Sequence, residues 1–394
     1  MRRLDLRKAQ AARLNTIRDI NRQIVLNYVR EREPISRAEI ARETDLQRST
    51  ISAIVEDLKS EGLVEEVGEG ESTGGRRPTL LKLRAAEPIA LGVSITPTCT
   101  TVAISDLAGR VVDQEEFLTD ANKTINQVIE VVSEFTTRYK GSIEGVGLSL
   151  PGLVDPSTGT ALYIPYFLWR DLPISQMISD AVGLPVVIDN DANAVALAEL
   201  WFGRPEVNDA RDFILVLVAE GVGTGIIFDG QVYRGQRGAA GEFGHMVIGR
   251  GAPVPCSCGS DDCWEAFSSE RAAIARYLKL SGAEEDSISF IDVVDLALGG
   301  EANAKAALVE TARHLGVGIS NLIIGFSPEA VVVGGEIARA WDLIESALTE
   351  TIANSVRRGL PSARILPSTL GENPTLRGAL SLVLASKFAA AFAA

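Results

Sequence analysis

The sequence lacks the features of an exported or membrane-anchored protein. Its first 23 residues, MRRLDLRKAQAARLNTIRDINRQ, are basic but contain no continuous apolar segment, which excludes a signal peptide or a membrane anchor in that stretch. Cysteine is scarce, with four residues in 394, and Cys99 lies far from the other three, so no disulfide framework is predicted. We therefore expect a cytoplasmic protein with reduced thiols and no membrane partner.

The length of the chain indicates several domains, and the distribution of charge indicates that the first of them is basic. With 394 residues and 46% hydrophobic content, the chain can bury a large core, and its length favours two or three domains. Residues 1–84 carry 17 Lys and Arg against 14 Asp and Glu, a net charge of +3, which leaves −17 on the rest of a chain whose total is −14. Because neutralising phosphates needs local Lys and Arg, only this first segment is expected to approach nucleic acid. A solvated charged surface would explain the same numbers.

Three cysteines and one of the two histidines form a compact group of metal-type ligands. Cys256, Cys258 and Cys263 fall within eight residues, and His245 lies eleven positions before the first of them. Three thiols and an imidazole match the Cys₃His set of structural zinc sites, and the intervening Pro and Gly residues favour a tight knuckle. A disulfide would leave one thiol unpaired, and reduced thiols without a metal are the alternative. We expect a closed zinc site that fixes a loop and does not catalyse.

The first 84 residues have the pattern of a small helical domain with a two-stranded wing. The first segment spaces its apolar residues three to four positions apart, as an amphipathic helix does, and it ends before Pro34. Ser36 and Glu39 form a capping-box pattern that opens a second, short helix. Gly62 is the expected stop of a third helix. The predicted helices and strands occupy residues 14–32, 37–43, 48–61, 63–67 and 79–83.

The third helix and the wing carry the side chains that are expected to contact DNA. The N-terminal end of a recognition helix reaches the major groove, and polar side chains there can donate to phosphates and base edges. The candidates on this helix are Gln47, Arg48, Ser49, Thr50 and Ser52. Arg76 and Arg77, at the tip of the wing, are expected to enter a minor groove or to clamp the backbone. The alternative is a small helical interaction domain with a charged surface.

From about residue 88 the pattern changes to alternating strands and helices. Strands of a meander are predicted at 89–95, 101–106 and 111–117, followed by a helix at 126–139 and a strand at 143–150. Further buried strands are predicted at 186–188, 213–218 and 330–333, and an Ala-rich helix runs from about 375 to 394. Strands, crossover helices and Gly-rich turns in this order indicate an α/β architecture.

The cysteine-rich stretch makes the chain resemble the ROK family, named for repressors, open reading frames and kinases. The family pattern appears here as Glu242-Phe243-Gly244-His245, followed by Cys256-Ser257-Cys258-Gly259, Cys263 and Glu265. It departs from the family only at Asp262, where Gly usually precedes the last cysteine. The N-terminal segment also resembles the winged helix of ROK repressors, whose wing has a similar Gly-Gly-Arg-Arg-Pro tip. The resemblance therefore covers nearly the whole chain.

The resemblance implies a winged helix-turn-helix followed by a two-lobed, actin-like (ribonuclease H-like) sugar kinase fold with a structural zinc knuckle. The expected domains are residues 1–84 for DNA binding, 88–199 together with the helix 375–394 for the first lobe, and 200–374 for the second lobe, with the zinc site and the dimer surface. It further implies that His245 binds zinc through one ring nitrogen, while Glu242, His245 and Glu265 reach sugar hydroxyls.

One motif of the kinase members is missing. Their first strand pair carries an Asp-any-Gly-Gly-Thr turn that handles metal and phosphate, whereas this chain reads Ser94-Ile95-Thr96-Pro97-Thr98. A neutral Ser cannot help to hold Mg²⁺ as a carboxylate does, and Pro97 has no N–H with which to contact a phosphate oxygen. We therefore expect no phosphoryl transfer.

Other parts of the family's cleft are retained. The matching family segment places the catalytic base at Asp191 and a sugar-binding amide at Asn190, and Asp191 can still accept a hydrogen bond from a sugar hydroxyl. Asp191 also suits capping of the helix predicted at 194–202. In the family's sugar-side loop, Tyr166 stands where Asn is common. The Gly-rich run 221–225 fits either a phosphate-binding loop or a tight hairpin.

These features together predict a sugar-responsive transcriptional regulator, and in particular a repressor of genes for carbohydrate uptake or catabolism. It would bind operator DNA as a homodimer or a dimer of dimers, and a monosaccharide or sugar phosphate in a degenerate kinase cleft. The alternative is an active ATP-dependent sugar kinase with an added DNA-binding head, and Ser94 argues against it. A zinc-stapled scaffold without a ligand would leave Asn190, Asp191 and Glu242 unexplained.

Overall fold

The computed structural model describes residues 14–70, 77–84, 88–139, 143–208, 210–283, 288–356 and 359–388. Within these ranges the chain forms two compact units. The first contains the described residues of Met1–Ile89, Ser105–Val112 and Leu384–Ala394, and the second those of Ala90–Ile104 and Asp113–Val383. No helix in the described ranges is both long and apolar enough to cross a membrane.

The described residues contain thirteen α-helices and sixteen β-strands. The helices are α1 (Leu14–Arg32), α2 (Arg37–Thr44), α3 (Arg48–Ser60), α4 (Thr124–Arg138), α5 (Ile174–Val182), α6 (Asp191–Phe202), α7 (Pro205–Asn208), α8 (Trp264–Ser268), α9 (Glu270–Ser281), α10 (Phe290–Leu298), α11 (Ala302–Phe326), α12 (Trp341–Ser355) and α13 (Pro374–Phe388). The strands are β1 (Ile35–Ser36), β2 (Val64–Glu69), β3 (Thr79–Leu83), β4 (Ala90–Ile95), β5 (Cys99–Ser105), β6 (Val111–Leu118), β7 (Gly145–Leu150), β8 (Leu153–Asp155), β9 (Thr160–Ile164), β10 (Trp169–Leu172), β11 (Val186–Asn190), β12 (Phe213–Val218), β13 (Val222–Phe228), β14 (Gln231–Val232), β15 (Ala330–Gly334) and β16 (Arg364–Pro367).

The N-terminal helices and wing follow the predicted winged helix-turn-helix. The capping box at the start of α2 is present, because Ser36 Oγ accepts from Glu39 N at 3.2 Å and Ser36 N donates to Glu39 Oε2 at 2.9 Å. The apolar face of α3, formed by Ile51, Ile54, Val55 and Leu58, is buried. Packing of this face fixes the orientation of α3 within the small domain.

The small sheet of this domain has one strand more than predicted. Its order is β1-β3-β2, and Ile35 and Ser36 of β1 pair antiparallel with Leu81 and Leu80 of β3. Two residues are too few to show the alternation by which a strand is recognised in sequence. The strand joins the wing to the segment between α1 and α2.

Two five-stranded sheets repeat one topology, as expected for a kinase-type α/β fold. Their orders are β11-β7-β4-β5-β6 and β14-β13-β12-β15-β16. In each sheet a run of three consecutive strands is extended by two parallel strands that enter after helical connections. For the seven of these strands whose boundaries were predicted, the boundaries agree with the structure to within two residues, whereas β14 and β16 were not predicted. A third, small sheet has the order β10-β9-β8.

Helix α13 returns to the first large sheet, and two glycines allow it to approach closely. A Cβ atom at Gly147 of β7 would lie 1.9 Å from the Ala379 carbonyl oxygen, and one at Gly92 of β4 would lie 2.6 Å from Leu380 Cγ. Any side chain at these positions would push the helix away from the sheet. The predicted helix at 375–394 is therefore observed as a packing element, and its residues 389–394 lie outside the described part.

Candidate functional site

The second unit contains a cleft with a volume of about 260 Å³ between its two large sheets. Residues that follow strands of the first sheet line one side, among them Thr96, Gly152 and Asp191. The hairpin after β12 and the residue after β15, Gly335, line the other side. Ligand sites of α/β folds occur beyond the carboxyl ends of parallel strands, and this cleft lies there.

At one end of the cleft the four predicted metal ligands lie together. Their ligand atoms all lie within 4.8 Å of one another. The Sγ atom of Cys256 is 3.3 Å from that of Cys258 and 3.3 Å from His245 Nδ1, and the Sγ atoms of Cys258 and Cys263 are 3.6 Å apart. The sulphur separations exclude disulfide bonds, which are about 2.05 Å long. The cysteines are free thiols.

This geometry fits a tetrahedral metal ion. With metal–sulphur bonds of about 2.3 Å, a tetrahedral site places its sulphur atoms about 3.8 Å apart, close to the observed spacing. The backbone also supports the site, since Cys258 N donates to Cys256 Sγ at 3.4 Å and Val247 forms an isolated bridge with Cys263. His245, Cys256, Cys258 and Cys263 are therefore close enough to bind one metal ion.

His245 connects the metal ligands with the cleft. Its Nδ1 atom faces the sulphur cluster, while its Nε2 atom is 3.5 Å from Glu242 Oε2, and both residues line the cleft. A metal bound at Nδ1 would thereby fix the orientation of the ring that presents Nε2 to Glu242. The structure thus places next to each other two of the residues that the family resemblance assigns to sugar hydroxyls.

Glu265, which is predicted to contact sugar hydroxyls, also bonds to three groups of the protein. Its Oε1 atom accepts from Cys256 Sγ at 3.2 Å and from Ser257 Oγ at 3.1 Å, and Oε2 accepts from Val222 N at 3.3 Å. The side chain is 6% exposed but lines the cleft. Glu265 therefore connects the cysteine loop to the hairpin after β12. A ligand in the cleft would contact a carboxylate that already accepts hydrogen bonds from these groups.

The neighbouring Trp264 anchors this segment in the core of the second sheet. It is fully buried, and its Nε1 atom donates to the His314 carbonyl at 3.1 Å. Gly318 of α11 makes room for the indole, because a Cβ atom there would lie 1.9 Å from Trp264 Cε2. The last cysteine ligand and Glu265 thus flank a residue that cannot move without disturbing the core.

Asn190, and not Asp191, caps helix α6, which corrects the capping prediction. The Oδ1 atom of Asn190 accepts from Ala192 N at 3.0 Å and from Asn193 N at 3.3 Å, while its Nδ2 atom donates to the Gly152 carbonyl at 3.1 Å. The predicted helix started at residue 194, whereas α6 starts at Asp191. An Asn that ends a strand is in the extended conformation that an N-cap needs.

Asp191 is thereby placed as the first residue of α6, facing the cleft. Its Oδ1 atom accepts from Ala192 N at 2.8 Å. Burial, together with the smaller effect of the nearby Glu242 carboxylate, raises the pKa of the Asp191 carboxyl to about 7, against the effect of the hydrogen bonds. A carboxyl group with a pKa near neutrality can both accept a hydrogen bond from a hydroxyl and donate one.

The turn at Ser94–Thr98 satisfies its own polar groups. Thr96 Oγ1 donates to the Cys99 carbonyl at 2.8 Å and accepts from Cys99 N at 3.0 Å, and Thr96 N also donates to that carbonyl. Ser94 is buried, and its Oγ donates to Thr375 Oγ1 at 2.8 Å. The Thr96 side chain is thus bonded to the backbone of Cys99, and Ser94 is bonded to Thr375 of α13.

The Gly-rich run 221–225 adopts the hairpin alternative. Strands β12 and β13 pair antiparallel, and Ala219 N donates to the Gly221 carbonyl at 2.9 Å in the turn. Gly225 lies against α6, since a Cβ atom there would be 2.3 Å from the Ala192 carbonyl oxygen. This glycine is explained by the close approach of a strand to a helix.

Four further carboxylates line the cleft, and the sequence analysis did not identify them. They are Glu220, Glu270, Glu336 and Glu372. Burial, followed by the effects of the Glu220 and Glu336 carboxylates, raises the pKa of Glu270 to about 8. These residues are distant in sequence and carry no spacing signal, so only the fold brings them together. Tyr166 also lines the cleft, as predicted, and burial raises its pKa to about 12.

The predicted DNA-contacting residues of α3 are accessible. Gln47, Arg48, Ser49 and Ser52 are exposed and Thr50 is half-buried. Ion pairs hold other basic side chains of this domain, including Arg37 with Glu56 and Lys59 with Glu66. Within the described residues, Arg48 and Arg77 form no ion pair, and both are exposed. Arg76 lies outside the described residues.

Comparisons with known proteins agree with both parts of the chain. The model of the ROK family matches residues 90–386, and that of the MarR family matches residues 24–77. The chain is 32% identical over 375 residues to the xylose repressor of Bacillus subtilis, covering 93% of this chain and 96% of that protein.

Solved structures extend the similarity to the fold. A ROK family transcriptional regulator, described as a homolog of the Escherichia coli Mlc protein, is 25% identical with a TM-score of 0.76, covering 95% of this chain and 97% of that one. A ROK family glucokinase from Streptomyces griseus, in complex with glucose and AMPPNP, is 30% identical with a TM-score of 0.65, covering 75% of this chain and 99% of that one. By the match to its family model and by these relatives, the chain belongs to the ROK family.

Proposed function

We propose that the chain is a sugar-responsive transcriptional regulator that represses genes of carbohydrate uptake or catabolism. One observation carries the proposal: a winged helix with exposed Arg48 and Ser49 and a kinase-type cleft occupy the same chain. The xylose repressor of Bacillus subtilis supports it, because the similarity to that repressor extends over nearly all of both chains.

The metal of the cysteine cluster is proposed to be zinc. Three thiolates and one imidazole in tetrahedral spacing are the ligand set of structural zinc sites, and no ligand position is left for a substrate. Zinc here would stiffen the loop from Gly241 to Glu265 and would orient His245 and Glu242 toward the sugar. Asn190, Asp191 and Glu265 are the other proposed sugar contacts, all of which line the cleft.

The kinase alternative is disfavoured by the Ser94–Thr98 turn. The glucokinase neighbour shows that the fold accommodates a sugar and a nucleotide analogue. In this chain Ser94 replaces the acidic residue, and the polar atoms of Thr96 are bonded within the turn. Without the acid that the kinase turn provides, the cleft lacks the carboxylate that would help to hold Mg²⁺ at that turn for phosphoryl transfer. We therefore infer a binding protein and not an enzyme.

Operator binding is proposed to use the winged helices of a homodimer or a dimer of dimers. A single small domain makes few contacts with the DNA backbone, and two related domains can bind half-sites about one helical turn, or a multiple of it, apart. Residues 1–84 would form the DNA-binding domain. The sensor would consist of the lobe 88–199, together with the helix 375–394, and the lobe 200–374.

Substitutions on α3 and on the wing should affect DNA binding in different ways. Arg48→Ala is expected to cost about 1–3 kcal/mol on the preferred operator and to relax its sequence preference, since a base contact is lost. Arg77→Ala should weaken binding to all sequences alike and lower the slope of log K against log salt by about one, since a phosphate contact is lost. Operators selected from random duplexes and measured at several salt concentrations test this.

The matched control is Arg313→Ala, which removes an exposed arginine of α11 in the second unit. It should leave both the affinity and the salt slope unchanged. Parent-like binding by the Arg48 and Arg77 variants would show that α3 and the wing do not contact the operator.

The proposed function is tested by titrating sugar with and without operator DNA. A ligand shifts a conformational equilibrium only through its different affinities for the two states. If sugar weakens operator binding, operator must weaken sugar binding by the same factor, which for allosteric proteins is about 5- to 150-fold. We expect sugar to release the DNA. Equal sugar affinities in both titrations would mean that the sensor and the DNA-binding domain are uncoupled.

A further inference from the structure

Acidic side chains are the main charged groups that line the cleft. Seven of its lining residues are Asp or Glu, and none of the described lining residues is Lys or Arg. Sites for phosphate groups place Arg, Lys or free backbone N–H groups against the anion. The charge of the lining is therefore opposite to that of a phosphate-binding site.

Two helices that begin at the cleft have an acidic side chain as their first residue. Asp191 is the first residue of α6 and Glu270 the first of α9. N–H groups of their first turns are already bonded, that of Ala192 to Asn190 Oδ1 and that of Ala272 to Ser269 Oγ. The positive end of a helix dipole would otherwise attract an external anion, but here it stabilises carboxylates of the protein.

Two arginines near the cleft contact protein groups. Arg271 donates through Nη2 to the Pro255 carbonyl at 2.5 Å and acts on the nearby Glu220 carboxylate. Arg339 lies 3.3 Å from Glu336 Oε2 and 2.6 Å from Asp295 Oδ1, so it is shared between two acids. A zinc ion in the knuckle would add no net positive charge, because its three thiolates outweigh the two charges of the ion.

We propose that the cleft selects an uncharged, unphosphorylated monosaccharide, and that Glu220, Glu270 and Glu336 exclude sugar phosphates and nucleotides. This inference rests on the proposed function, because it specifies the chemical class of the effector. A phosphate group carries about −1.5 to −2 charges at pH 7. In a cleft of about 260 Å³ that is lined by seven acidic residues, such a group would face negative charge. Sugar hydroxyls, in contrast, can donate hydrogen bonds to carboxylates.

The test compares each neutral sugar with its own phosphate. The full-length protein is incubated at pH 8 with D-glucose, D-xylose or N-acetylglucosamine, with the corresponding 6- or 5-phosphates, and with Mg·ATP, and affinities are taken from thermal stabilisation and calorimetry. We expect one neutral sugar to bind at least tenfold more tightly than its phosphate. The ratio should fall as salt is added, because repulsion between charges is screened.

A double variant, Glu220→Gln with Glu270→Gln, assigns the exclusion to these side chains. It should narrow the ratio of the two affinities at least threefold, whereas Glu345→Gln, an exposed site on α12, should leave the ratio unchanged. If the double variant does not fold, the salt dependence of the two affinities in the parent protein still tests whether charge repulsion excludes the phosphate.

Two results overturn the proposal in distinguishable ways. A sugar phosphate or Mg·ATP that binds as tightly as the neutral sugar would refute the exclusion while supporting a sugar-binding cleft. If no sugar in either form binds, the proposed function fails and the inference fails with it.

Discussion

Replacing Cys258 by Ser is expected to remove the metal and with it the order of the sugar-binding loop. A serine hydroxyl stays protonated and is a poor ligand for zinc, so the remaining Cys256, Cys263 and His245 would form an incomplete site. Loss of a structural metal is among the few single changes that cost more than about 4 kcal/mol of stability. Elemental analysis of freshly purified protein should fall from one zinc per chain to nearly none, and sugar binding should weaken at least tenfold.

The chain supplies its own control for this experiment. Cys99, the remaining cysteine, is a free thiol outside the cluster, and Cys99→Ser should keep one zinc per chain and the parent's sugar affinity. A Cys258→Ser protein that retained stoichiometric zinc would show that the cluster is not the metal site. If a zinc-free variant kept the parent's sugar affinity, the metal would not be needed to position the sugar-binding residues.

The elements that the sequence predicts well are those whose signals are local. The capping box of Ser36 and Glu39 and the apolar face of α3 depend on residues three to seven positions apart, and both are observed. The metal ligands are predicted for the same reason, since three of the four lie within eight residues of one another. Such patterns do not depend on how distant segments pack.

The parts that were missed depend on packing between distant segments. The acids Glu220, Glu270 and Glu336 lie in three separate segments, each of which alone looks like an ordinary charged turn or helix start. Their shared cleft appears only after the sheets have assembled. Likewise, the choice between Asn190 and Asp191 as the cap of α6 was decided by where β11 ends.

Glu199 is a further residue whose environment the sequence does not predict. It lies on α6, is completely inaccessible to solvent, and both carboxylate oxygens are buried without a hydrogen-bond partner within the described residues. Apolar residues such as Val195 and Leu370 form the surrounding core. Burial raises the pKa of Glu199 from 4.5 to about 7, against the effects of the nearby Ser368 hydroxyl and of Arg204. The folded protein therefore holds a proton that the unfolded chain releases.

The pH dependence follows from the two pKa values. Below pH 4.5 the carboxyl is protonated in both states and burial carries no charge penalty. Between pH 4.5 and about 7 the unfolded chain loses the proton first, so the stability contribution declines as pH rises and is fully lost above 7. This difference in pKa corresponds to about 3 kcal/mol at pH 8, since one pKa unit is worth about 1.4 kcal/mol.

Glu199→Gln should therefore stabilise the protein by about 3 kcal/mol at pH 8 and by little at pH 4.5. The amide has nearly the same shape, and like the protonated acid it is neutral at both pH values, so only the charge penalty changes. Urea unfolding at the two pH values measures this, with Glu350→Gln on the exposed face of α12 as the control that should show no gain. An equal gain at both pH values would point to packing instead of charge. No gain at pH 8 would mean that Ser368 and Arg204 compensate the buried Glu199 carboxylate in the folded protein, and the predicted charge penalty would be refuted.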